Sequence, residues 1–105
     1  MTSALLPPDE LELLRNVFRR HHPITLVKLF GSRAKGAHKP HSDVDLAIWG
    51  DVNPLAAAAL AADLDELPLP YHYDVVSVAH LAWQTLREHI ERVGVTVYDQ
   101  FSDHR

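Results

Sequence analysis

Cysteine is absent from the 105 residues, which excludes both a disulfide framework and a thiolate metal site. Nothing therefore ties the chain to an oxidising compartment, and the cytoplasm is the expected location. Long apolar runs are missing too. No stretch approaches the ~20 apolar residues that a membrane span requires, and the N-terminus MTSALLPPDELELL has neither the basic n-region nor the long apolar h-region of a secretory signal. The alanine-rich segment from Pro54 to Ala62 comes nearest, but it is about half the length needed and runs into Asp63, Asp65 and Glu66; it reads as a helix. No repeat, low-complexity tract or interdomain linker interrupts the sequence. A single domain over residues 1–105 is expected, with 47% apolar residues to build its core.

A long basic stripe is also lacking. Net charge is −4, laid out unevenly: residues 1–39 carry seven Lys/Arg against three Asp/Glu, whereas residues 40–105 carry three against eleven. Such a chain is poorly suited to tight, nonspecific binding of long nucleic acid. A small polyanion beside the basic first part is easier to accommodate.

What is present reads as alternating helices and strands. From Pro8 to about His22, Leu11, Leu14 and Phe18 recur at helical spacing, and Pro23 ends the helix. Ile24 to Phe30 reads as a mostly buried strand broken by Gly31. Ser32 to Lys35 could open a short helix capped by Ser32, and Gly36 to Ser42 reads as a loop. A second strand is expected from Asp43 to Trp49, a helix from Pro54 to about Leu67, a third strand from Tyr71 to Val78, a helix from His80 to Val93 and a last strand from Val95 to Tyr98. Residues Ser102 to Arg105 should fray. This order implies an α/β sandwich.

Chemistry is concentrated between residues 31 and 46. Gly31-Ser32 at a strand-to-helix junction can offer backbone N–H groups, a hydroxyl and a positive helix end to phosphate oxygens; alone, the dipeptide equally describes a capped turn. Asp43 and Asp45 stand two apart on an expected strand, so both leave one face while Val44 and Leu46 enter the core. Adjacent carboxylates repel one another, and a divalent cation would offset that cost. A solvated strand beginning is the plainer alternative. Asp74 is a lone charge within Tyr71-His72-Tyr73-Asp74-Val75-Val76-Ser77-Val78. It would complete a carboxylate triad if its strand lies beside that of Asp45, or it could instead pair with a neighbouring base.

Gly31-Ser32-Arg33-Ala34-Lys35-Gly36, then Ser42-Asp43-Val44-Asp45-Leu46 and a later strand aspartate, resembles the nucleotidyltransferase superfamily that includes DNA polymerase beta and kanamycin nucleotidyltransferase. The match is best to its small stand-alone members, the minimal nucleotidyltransferases (MNT), and covers nearly the whole chain. The resemblance implies an α/β, polymerase beta palm-like fold: a mixed sheet of three to four strands packed by about four helices. It also implies that Asp43 and Asp45 hold two magnesium ions, that Asp74 shares one of them and could accept a hydroxyl proton, and that Gly31 and Ser32 hold the β- and γ-phosphates of ATP. Gly36 completes the pattern. Arg33, Lys35 and Lys39 could add charge around the triphosphate, or be ordinary loop charges.

MNT proteins are often paired with a helical HEPN ribonuclease. The resemblance therefore implies an antitoxin that transfers AMP from ATP to a tyrosine of a HEPN-type toxin. Nucleotidyl transfer to a small molecule or an RNA end, and a non-catalytic antitoxin acting by binding alone, are the alternatives. The eight histidines, including His38 and His41, do not converge in the sequence as a zinc site would require. The tryptophans and tyrosines are expected in core or partner contacts rather than base stacking, with Trp83 at the edge of its helix's apolar stripe.

Overall fold

The computed structural model describes residues 6–31 and 43–102. The first helix, α1, spans Pro8–Arg20. Proline suits a first helical position because it has no N–H to leave unpaired. Asp9 and Glu10 in the first turn, with Arg19 and Arg20 in the last, complement the helix dipole. The helix stops two residues short of the expected His22. That residue precedes Pro23, whose ring disfavours a helical conformation before it, and His21 already leaves the helix at φ −106°, ψ 83°.

Strand β1 covers Ile24–Phe30 and β2 covers Val44–Gly50. Helix α2, Pro54–Asp65, is capped by Asn53, whose Oδ1 accepts the Ala56 N–H at 2.7 Å. It ends before the expected Leu67, which precedes Pro68 and instead closes a tight turn onto the Leu64 carbonyl. Strand β3 is Tyr73–Ser77, followed by a single 3-10 turn at Val78–His80, helix α3 at Gln84–Val93 and strand β4 at Val95–Asp99. The last helix was expected from His80. Instead Val78 is drawn into the core, no side chain caps the helix, and Trp83 remains extended ahead of it.

The four strands form one mixed sheet in the order β3-β2-β1-β4. β1 runs antiparallel to both β2 and β4, whereas β2 and β3 are parallel. A parallel pair needs a crossover, which α2 supplies. One face of the sheet presents Val27, Leu29, Val44, Leu46 and Ile48 to the main core, where α1 contributes Leu11, Leu14, Val17 and Phe18 and α2 contributes Ala57, Leu60 and Leu64. On the other face α3 places Ile90 with Ala47 and Val78, flanked by Phe30, Trp49, Val76 and Leu86. That second cover is partial, since Asp43 and Asp74, near the start of β2 and β3, stay exposed.

The fold is thus α/β with a four-stranded mixed sheet and three α-helices among the described residues. The short helix expected at Ser32 to Lys35, the loop from Gly36 to Ser42 and the fraying expected at the extreme C-terminus lie outside the described residues, apart from Ser102. No helix among the described residues is long and apolar enough to cross a membrane.

Candidate active site

Strand pairing builds the site. Phe30 in β1 pairs with Asp45 in β2, and Asp45 pairs with Asp74 in β3. Paired residues on adjacent strands leave the same side of a sheet. The core-facing neighbours decide which side this is: Val44 and Leu46 are both 0% exposed, so Asp45 points to the opposite face. Asp43, two residues before Asp45 and one before β2, shares that face by the same alternation.

Gly31 closes the turn against these carboxylates. Its φ of +81° is left-handed, and a β-carbon there would overlap Asp45 Oδ2. Glycine is required on both counts, and the close approach sets the backbone at the end of β1 directly against Asp45.

Asp45 carries the electrostatic strain of the site. Its carboxyl is raised above the usual 3.8, first by burial, then by the like charges of Asp74 and Asp43, and by a side-chain hydrogen bond with Asp74. The donor set fits a hard divalent cation, which takes oxygen ligands and would relieve the repulsion that the raised carboxyl records. Among the described residues no three His, Cys, Asp or Glu side chains already form a closed metal-binding group. Magnesium does not need one, because it commonly uses one or two protein carboxylates and completes its shell with water and phosphate.

Residues 12–103 match the family described as Polymerase beta, Nucleotidyltransferase. The chain belongs to this family. One relative, described as "Probable protein adenylyltransferase MntA" of Haemophilus influenzae, is 32% identical over 94 residues, covering 88% of this chain and 82% of its own. That relationship places the nucleotidyltransferase among the minimal members. Solved structures agree on the fold. A toxin–antitoxin with AMP-PNP matches with a TM-score of 0.71 at 23% identity, over 90% of this chain and 74% of that one. A tri-AMPylated Shewanella oneidensis HEPN toxin in complex with MNT antitoxin matches with a TM-score of 0.67 at 21% identity, over 90% and 73%.

Of the residues that the sequence singles out, the nucleotidyltransferase sheet brings Gly31, Asp43, Asp45 and Asp74 to one edge of one face. Ser32, Arg33, Lys35, Gly36, Lys39, His38 and His41 lie outside the described residues. Asp74 differs from expectation in one respect: its side chain is 53% exposed rather than enclosed in an apolar run.

His72 is the neighbour that the sequence reading missed. Its Nε2 lies 3.4 Å from Asp74 Oδ1, so a basic neighbour of the kind weighed for Asp74 is within reach alongside Asp45. The signal was available, since His72 and Asp74 are two apart in an extended run.

The aromatic residues serve mostly as packing. Phe18 stacks obliquely on Tyr98, Tyr71 meets Tyr73 edge to face, and Lys28 lies over the Trp49 ring. Trp83 is 66% exposed.

Proposed function

We propose that the chain transfers AMP from ATP to a tyrosine hydroxyl of a HEPN-type toxin and thereby acts as its antitoxin. The observation that carries the reading is the in-register pairing of Asp45 with Asp74 against the turn at Gly31. The likeness to an MntA protein and to toxin–antitoxin complexes supports the choice of acceptor. Asp43, Asp45 and Asp74 would hold two magnesium ions. Bound there, these would neutralise charge on the triphosphate and on the attacking and leaving oxygens.

The protein's own groups then have distinct tasks. Gly31 lets the turn close directly on Asp45, and Ser32, Arg33, Lys35 and Gly36 would extend from it as the triphosphate site. Asp74, the most accessible carboxylate of the pair, faces solvent where an acceptor would arrive and takes the hydroxyl proton. The hydroxyl oxygen bonds to the α-phosphorus, the bond from that phosphorus to the bridging oxygen breaks, and pyrophosphate leaves.

ATP labelled at the α-phosphate, incubated with the chain, magnesium and the toxin, should label the toxin, whereas γ-labelled ATP should not. Asp43→Ala and Asp45→Ala should abolish the labelling. Label persisting in both variants would refute the assignment.

A further inference from the structure

We propose that His72 is a positioning residue for Asp74, a hydrogen-bond donor that keeps this carboxylate turned along the sheet toward Asp45. The inference rests on the transfer reading for its catalytic consequence but not for its structural content.

Several observations converge on it. His72 precedes β3, yet its carbonyl accepts the Val44 N–H at 2.8 Å, which extends the ladder and fixes His72 beside the start of β2. Extended chain then places its imidazole on the face of Asp74, with Nε2 at 3.4 Å from Oδ1. Asp74 therefore has an imidazole nitrogen on one side and Asp45 on the other. With 53% of its side chain exposed, no core packing fixes its rotamer. With both carboxyls ionised, repulsion from Asp45 would by itself turn it toward water, and an imidazole N–H at His72 would oppose that rotation. Groups that orient a ligating carboxylate in this way are a regular part of metal sites.

The test compares the wild-type chain with His72→Ala and His72→Gln, whose amide N–H can reach about as far as Nε2. Two readouts are needed: Mn2+ binding by electron paramagnetic resonance, without nucleotide or toxin, and steady-state AMP transfer. His72 is 67% exposed, so both variants should melt as the wild type does. His72→Ala is expected to weaken Mn2+ binding about tenfold and to lower kcat about 10–100-fold. KM for ATP should stay within about twofold, because the loss falls on the chemical step. His72→Gln should recover most of both.

Unchanged Mn2+ affinity in His72→Ala, or His72→Gln no better than His72→Ala, would overturn the proposal. So would a raised KM for ATP at constant kcat, which would make His72 a substrate contact, or a wild-type chain that binds no Mn2+. If the wild type binds Mn2+ but transfers no AMP, the transfer reading fails while the Mn2+ comparison still decides the role of His72.

Discussion

Asp45 is partly buried and sits between two other carboxyl groups, and its raised titration records both costs. A carboxyl that holds its proton more tightly in the folded state adds stability that is complete below its unfolded value. That contribution is withdrawn as pH rises through the higher folded value. Metal-free protein is therefore expected to lose stability as pH climbs through the titration of Asp45. Asp45→Asn should remove this loss, raising Tm at pH 7 while abolishing AMP transfer; thermal melts from pH 4 to 8 with chelator present would check it. Gly31 makes the complementary case. Gly31→Ala must fit a methyl group against Asp45 Oδ2 at a φ of +81°, and should cost about 1–3 kcal/mol in urea unfolding. Its transfer activity should fall with it.

At the scale of elements, α3 is held to its face of the sheet by little. Ile90 is its one fully buried side chain, packed with Ala47 and Val78. Ile90→Ala is expected to cost about 2–5 kcal/mol, measured by urea denaturation, and to expose Trp49 to fluorescence quenchers. The same thin packing explains why the start of α3 could not be read from the sequence. The apolar residues from His80 to Val93 fit a helical stripe, but the burial of Val78, a long-range contact, decides where the turn ends and the helix begins. Elements with local determinants were legible. Strand β1 was bounded by Pro23 and Gly31, and α2 by Pro54 ahead and Pro68 behind, to within two residues. The shared face of Asp43 and Asp45 was legible from alternation, because Val44 and Leu46 had to face the core. The neighbourhood of Asp74 was not, since parallel pairing of β3 with β2 is fixed by the α2 crossover rather than by any residue near Asp74. His72 was missed for a related reason: its importance depends on which face Asp74 occupies.

For the molecule as a whole, the uneven charge acquires a structural sense. The acidic part contributes Asp43, Asp45 and Asp74 to one edge of the sheet, and Gly31 approaches that edge from the end of the basic part. Asp74 and His72 open to solvent at that edge, and a large acceptor such as a protein tyrosine would have to approach there. The most direct measurement is the intact mass of the HEPN-type toxin after incubation with the chain, ATP and magnesium. The account predicts a gain of one or more whole AMP units, mapped to tyrosine, with the wild-type chain and none with Asp45→Asn. A toxin silenced at unchanged mass, or one modified equally by Asp45→Asn, would contradict it.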